Sequence, residues 1–381
     1  MAPSPRERLV SLDVLRGLTI AGMILVNNAG DWSYVFAPLQ HAPWDGWTPT
    51  DLIFPSFLFI VGVSMAFAFA RYLGPERPPL QVYLRIGRRV VILFGLGLVL
   101  NALNCIPWCP WRAVITGVRI PGVLQRIAVV YGITALLMLR TTPRQQAYAA
   151  VLCLLLYWAL MTLVPVPGYG AGVLTPEGNL AAYIDNLLLH GHLWQGNWDP
   201  EGILSTIPAI ASALFGALAG QWLRTSRNPY EKVSGLFVMA AIGLLLGVAW
   251  DSCFPINKNL WTSSYVVFTT GMALAALAFC YWLVDVKGYR RVATPFVVFG
   301  TNAITVYALS IVMDWMLAWW SLAQPDGSRV SLRTWIYVHG YAPWGEWFGP
   351  ASASLLYALT YVLLWLGLMW LLYRRRIFIN I

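Results

Sequence analysis

The sequence predicts an all-α, polytopic integral membrane bundle of about ten transmembrane helices, with both ends on the cytoplasmic side. Three observations carry this. Only 11% of the 381 residues are charged and 59% are hydrophobic, whereas a soluble domain carries roughly 25% charged residues and needs them as a polar skin. Apolar runs close to the ~20 residues that cross a bilayer recur along the whole chain. Lys and Arg fall in short groups between those runs, and the 20 Trp and 18 Tyr suit rings held at the headgroup level.

Taken in order, the predicted spans are 11–30, 50–71, 87–105, 122–140 and 145–164, then 203–223, 233–252, 262–284, 294–316 and 350–373. The first has no A-x-A-type cleavage site after it and reads as a retained helix, not a removed signal peptide. Residues 165–202 carry Pro165, Pro167, Gly168, Gly170 and Gly172, which bars a span and predicts an extramembrane loop. The Trp-rich stretch from Trp315 to Trp347 predicts a second, partly interfacial one. The whole chain is expected to form a single transmembrane domain, with outward loops at about 31–49, 165–202 and 317–349.

Basic residues set the orientation. With ten spans, one set of alternate segments holds eighteen Lys and Arg and the other only five, while Arg16 and Arg126 fall inside spans. Positive loops stay in the cytoplasm, so loops 31–49 and 165–202, which have neither Lys nor Arg, face outward. All four histidines (His41, His190, His192 and His339) lie on that side. The basic inner face suits a phosphate-bearing ligand or anionic lipid, although orientation alone explains it. The net charge of +9 forms no single stripe or patch, which argues against a nucleic-acid partner.

Polar groups within or beside spans mark function or a structural pair. Asp13 and Arg16 are three apart on one helical face and can pair with each other. Asn27 and Asn28 close the first helix. Asp51, after Thr48 and Thr50, opens the second as an N-cap, and Pro55 is expected to bend it. Between them, His41-Ala-Pro-Trp44-Asp45-Gly-Trp47-Thr48-Pro-Thr-Asp51 gathers one imidazole, two carboxylates and two indoles. An imidazole is the natural proton acceptor near neutral pH, though an isolated loop histidine is more often idle. Arg126 begins the fourth helix, where it can snorkel to water. Asp199 and Glu201 precede the sixth, where compensation of the helix dipole also explains acidic groups.

Other motifs are weak. His190-Gly-His192 lacks a third ligand of evident spacing, so no metal is expected. Cys105, Cys109 and Cys253 are on or near the outer side, and a Cys105–Cys109 disulfide depends on the bend at Pro107. The chain has no C-x-x-C, P-loop, G-x-S-x-G or dinucleotide fingerprint.

Several blocks, in order along most of the chain, resemble the heparan-α-glucosaminide N-acetyltransferase family, and its bacterial NagX-type relatives more closely. They are Ser11-Leu-Asp-Val-Leu-Arg-Gly, Met23-Ile-Leu-Val-Asn-Asn, the His41–Pro55 stretch, Ile120-Pro-Gly-Val-Leu-Gln-Arg, Asp199-Pro-Glu-Gly, Asn257-Lys-Asn-Leu-Trp-Thr-Ser-Ser-Tyr and Phe299-Gly-Thr-Asn-Ala. The resemblance implies that acetyl-CoA stays in the cytoplasm, that its pantetheine arm enters the bundle, and that an amino sugar outside receives the acetyl group. It implies a catalytic role for His41, in the H-x-x-W-x-G motif, and places Asn27 near the acetyl carbonyl. It also implies a homodimer, and a glucosamine or cell-wall amino sugar as acceptor, in a bacterial inner membrane.

On this basis His41 is the expected base, Asp45 or Asp51 its orienting carboxylate, and Asn27 the oxyanion donor; an acetyl-His intermediate is the alternative chemistry. Arg16, Arg71, Arg85, Arg88 and Arg89 are the candidates for the donor's phosphates. Trp44, Trp47, Arg126, Asp199 and Glu201 are the candidates for the acceptor site. An inner-membrane permease for amino sugar or N-acetylglucosamine is the competing function; few intramembrane carboxylates and no visible internal symmetry speak against it. A scaffold without a ligand leaves the outward polar clusters unexplained.

Overall fold

A computed structural model describes residues 9–74, 78–103, 110, 112, 116–194, 196–324 and 327–379. Cys105 and Cys109 lie outside the described residues. The helices are α1 (Val10–Asn27), α2 (Ile53–Ala68), α3 (Leu80–Leu103), α4 (Val123–Arg140), α5 (Pro143–Leu163), α6 (Leu180–Leu189), α7 (Thr206–Leu223), α8 (Pro229–Asp251) and α9 (Ser263–Cys280). They continue with α10 (Arg290–Thr301) and α11 (Ala303–Trp319), then α12 (Leu332–Gly340), α13 (Gly345–Phe348) and α14 (Pro350–Arg374). Between α11 and α12 an antiparallel hairpin pairs β1 (Ser321–Ala323) with β2 (Arg329–Ser331), Leu322 opposite Val330.

Among the described residues nine helices are long and apolar enough to cross a membrane, or ten if α10 and α11, bent by 70° at their junction, are one span. The protein is therefore an all-α polytopic membrane protein, and each predicted span has its helix. Two details differ from expectation. The third helix starts at Leu80 rather than near residue 87, because Val82, Ile86, Leu93, Gly97 and Leu100 share one buried face through the basic stretch. Arg85, Arg88 and Arg89 therefore ride on helix and not in a loop. Pro55, expected to bend the second helix, falls in the first turn of α2. It is the third residue of that helix, where a missing N–H leaves no hydrogen bond unmade.

The chain divides into two compact units. One comprises Met1–Gln40, Ser226–Met239 and Leu274–Asn380; the other comprises His41–Thr225 and Ala240–Ala273. In the first, α1 packs on α10 through two glycines: a Cβ on Gly17 would stand 1.8 Å from the Phe296 carbonyl oxygen, and one on Gly300 2.0 Å from that of Asp13. At the α10–α11 break, buried Asn302 donates to the Ile377 carbonyl (3.1 Å) and accepts from the Ile379 N–H (2.8 Å). The side chain thus supplies partners for the carboxy-terminal backbone beside a broken helix.

In the second unit α2, α4 and α7 form the interior, with 61%, 61% and 67% of their apolar stretches buried, against 22% and 28% for α3 and α5. A seam of small residues explains the α2–α7 contact. A Cβ on Gly62 would come 2.0 Å from the Ala213 carbonyl oxygen, and one on Gly216 2.0 Å from that of Phe59, so the two backbones approach as only glycine allows. All three interior helices run in the same chain direction. Their first residues lie near His41-loop, Arg126 and Ser205 chemistry, and their last residues lead to Arg71, Arg140 and Arg224.

Candidate active site

The His41 loop is built by local hydrogen bonding and by a second loop locked onto it. Gly46 has φ +91°, a backbone region that favours glycine. Its N–H donates to the Ile256 carbonyl (2.7 Å), and Asn257 Nδ2 donates to Asp45 Oδ1 (3.1 Å). Asn257 Oδ1 in turn accepts from the Leu260 N–H (2.9 Å). Loop 41–49 and loop 253–262 thereby hold one another.

Asp51 is the organising group. It is not the N-cap: Thr48 caps a 3-10 turn at Pro49–Leu52, and Asp51, at the third position, reaches back to accept from the Thr48 N–H (3.0 Å) and Oγ1 (3.1 Å). The same Oδ2 accepts from the Ala42 N–H (3.0 Å). Oδ1 faces His41 Nδ1 at 2.6 Å, with the carboxylate side chain only 1% exposed and the imidazole 51% exposed. A carboxylate fixed by backbone donors accepts a hydrogen bond from Nδ1–H, a tautomer in which Nε2 is the lone-pair nitrogen. Of the two carboxylates expected to orient His41, Asp51 does so and Asp45 serves Asn257.

Lys258, absent from the expected site, stands in the same contact. Its Nζ is 3.0 Å from His41 Nδ1, 3.2 Å from Nε2 and 3.6 Å from Asp51 Oδ1. Near-equal distances to both ring nitrogens put the ammonium over the flank of the ring, and only Nε2 has a lone pair for it. Burial pushes the Lys258 ammonium below the ordinary lysine range, while Asp51 and Glu201 oppose that. The sequence signal was present: Lys258 is the one lysine among the five outward-assigned cations.

A buried polar and aromatic layer continues from this pair. Tyr265 donates its hydroxyl to the Asp51 carbonyl. Its ring meets Trp261 edge-on at 5.4 Å, and the guanidinium of Arg126 lies 5.0 Å over the Trp261 ring. Trp261 is 1% exposed at φ 55°, an uncommon backbone state for a bulky residue and one that surrounding packing must enforce. Arg126 does not snorkel. It is 2% exposed, and Nη2 donates to the Gly202 carbonyl (3.1 Å) and to Ser205 Oγ. Its Nε and Nη1 are buried without a hydrogen-bond partner among the described residues.

Asp199 and Glu201 are not first-turn dipole groups, since α7 begins only at Thr206. Arg119 binds Asp199 with two hydrogen bonds (Nε to Oδ2 2.7 Å, Nη2 to Oδ1 2.6 Å) and also contacts Glu201, beneath the Trp194 ring at 4.9 Å. Burial works against the Arg119 charge, yet these carboxylates hold its pKa above the ordinary arginine range. Asp185, also unforeseen, accepts from the Ile203 N–H at 2.8 Å, and burial pushes its carboxyl up to about 7. Trp44 is tied by its Nε1 to the Leu174 carbonyl (2.9 Å) and meets Trp198 edge-on. Trp47 packs on Phe268 yet remains 41% exposed as a residue. His190 and His192 bond to Asn186 and the Val118 carbonyl, and no group that could hold a metal ion occurs among the described residues.

At the far ends of α2, α4 and α7 opens a cavity of about 1170 Å³ whose lining includes Arg71, Arg140, Arg224, Tyr83, Thr142 and Gln146. Of the arginines expected to meet phosphate, it takes Arg71. Arg85 bonds to the Gln81 carbonyl and Tyr72, Arg88 is exposed, and Arg89 stacks on Tyr131 at 4.7 Å. Arg16, in the other unit, donates to Asp13 Oδ1 (3.0 Å) and the Gly300 carbonyl (3.2 Å). Arg140 and Arg224 were legible only as orientation charges. Asn27 ends α1 in that unit and lines a small pocket with Asn28, Ser310 and Asp314.

Comparison with known proteins bears on this arrangement. The family pattern described as "Heparan-alpha-glucosaminide N-acetyltransferase, catalytic" matches residues 8–247. The heparan-alpha-glucosaminide N-acetyltransferase of Mus musculus is 31% identical over 383 residues, covering 86% of this chain and 57% of the mouse protein. The human protein of that name is 33% identical over 353 residues, covering 79% and 52%. The chain spans about half the length of the curated relatives it matches. Lys258 and Trp261 lie beyond the family pattern, whereas His41, Asp51, Arg126 and Asp199 lie within it.

Proposed function

Because the chain belongs to the heparan-α-glucosaminide N-acetyltransferase family, we propose that it is a transmembrane acetyltransferase. It moves the acetyl group of cytosolic acetyl-CoA to the amine of a glucosamine-type sugar on the opposite side. One observation supports this most: the His41–Asp51 pair and the arginine cavity lie at opposite ends of the same three helices. Those helices have 16, 18 and 18 residues, roughly 24–27 Å at 1.5 Å per residue, close to the ~30 Å of a hydrocarbon core.

The chemistry follows from the geometry. Arg71, Arg140 and Arg224 offer charge-assisted, fork-shaped contacts to the phosphates of the donor. At the other end Asp51 keeps the proton of His41 on Nδ1, so Nε2 accepts a proton from the incoming sugar ammonium. The freed amine attacks the thioester carbonyl, the C–S bond breaks as the C–N bond forms, the thiolate takes the proton from Nε2, and the second amine proton passes to water. Such a positioned base contributes on the order of 10²–10⁴ in rate. Trp44, Trp47, Arg126, Asp199 and Glu201 are proposed for the acceptor side. A bacterial inner membrane and a homodimeric state go with the same resemblance and are proposed with it.

Labelled acetyl-CoA and glucosamine, supplied to the purified protein, test the proposal. His41→Ala protein that elutes as wild type is expected to lose transfer by about 10²-fold or more. An unchanged rate removes His41 from the chemistry. Glucosamine that crosses unmodified without CoA marks a permease instead.

A further inference from the structure

We propose that Lys258 is a self-acetylation site, at which the enzyme acetylates its own amine when no sugar occupies the acceptor position. This rests on the proposed acetyl transfer and extends it to a modification that stalls the protein.

The proposed reaction needs an amine brought to Nε2 of His41 as the acetyl thioester arrives. Lys258 already satisfies the first condition, with Nζ 3.2 Å from Nε2 and 3.0 Å from Nδ1. Its backbone is fixed there by the Asn257–Asp45 and Gly46–Ile256 hydrogen bonds. The side chain is 16% exposed, so the amine stays inside the site instead of reaching into water. Burial also lowers the cost of releasing its proton. An acceptor sugar must displace this amine from the ring flank or attack beside it. Without an acceptor, Lys258 is the resident nucleophile.

The step balances. The Lys258 ammonium gives one proton to His41 Nε2, and the free amine attacks the acetyl carbonyl. The C–S bond breaks as the C–N bond forms. The thiolate takes the proton from His41 and leaves as CoA thiol, and the second amine proton passes to water. The product, a neutral acetamide, no longer faces Asp51 as a cation and fills the space beside His41.

The test incubates the full-length protein in proteoliposomes with acetyl-labelled acetyl-CoA and no sugar, then maps peptides by mass spectrometry. The expected result is label on Lys258 that grows with loss of glucosamine-acetylating activity. Glucosamine present from the start suppresses it, and His41→Ala reduces it by at least about tenfold. Lys258→Arg takes no label and keeps its own starting rate through the incubation. Wild-type protein that acetylates glucosamine while Lys258 stays unlabelled overturns the inference and leaves the transferase standing. Equal labelling with and without His41 also overturns it, because the acetylation is then unassisted. If neither glucosamine nor Lys258 is acetylated, the inference and the proposed transfer both fall.

Discussion

Nδ1 of His41 stands 2.6 Å from Oδ1 of Asp51, and the other oxygen of that carboxylate is held by the Thr48 and Ala42 N–H groups. The imidazole is half exposed, but the group that orients it is buried and tethered to the first turn of a membrane-spanning helix. That difference makes the ring direction a property of the fold rather than of a mobile loop.

Asp51→Asn follows from this pair. The amide keeps the shape but presents an NH₂ to donors that now meet a carboxylate, and the ring loses the partner that fixes its tautomer. Acetyl transfer is expected to fall by about 10²–10⁴ while acetyl-CoA binding changes little. Single-turnover kinetics beside a CoA-binding assay separate the two. Equal loss of rate and of CoA binding contradicts the assignment.

At the other end of the helices, Arg140→Gln with Arg224→Gln removes two of the three arginines of the cavity. A hydrogen bond to a charged group is worth about 1.5–3 kcal/mol, so KM for acetyl-CoA rises by at least about tenfold, with kcat largely kept. Anionic-lipid titration in nanodiscs supplies the control. Variants that change lipid binding but not KM for acetyl-CoA place lipid, not nucleotide, in the cavity.

Much of this was legible in the sequence. Hydropathy located the nine spanning helices and the α10–α11 pair because each is a near-continuous apolar run. It missed the 70° break at Asn302, since a broken span has the same composition as a straight one. The polar cluster at 41–51 announced itself by density. Lys258 stood out as the one outward-assigned lysine, but its pairing with His41 did not: the two are 217 residues apart along the chain, and only packing brings their loops together. In the sequence Arg126 reads as a boundary residue, because position alone cannot reveal that Trp261 and the 202–205 turn close over it.

Asp185 predicts a pH effect on stability. Folding raises its carboxyl to about 7, whereas an unfolded chain releases that proton near pH 4. The folded state therefore binds the extra proton, so this group's stabilisation is complete below about pH 4 and is lost as pH rises through about 7. Asp185→Asn keeps an oxygen for the Ile203 N–H and cannot ionise. The difference in Tm between variant and wild type, measured in detergent from about pH 4.5 to 8, is expected to shift in favour of the variant as pH rises. Parallel curves contradict the buried carboxyl's role.

The central claim is that donor and acceptor are handled at opposite ends of α2, α4 and α7. Proteoliposomes loaded with glucosamine and given impermeant labelled acetyl-CoA only outside test it most directly. The account predicts labelled N-acetylglucosamine inside the vesicles, made by those molecules whose Arg71, Arg140 and Arg224 face outward. Product that forms only when donor and sugar share one compartment would contradict it.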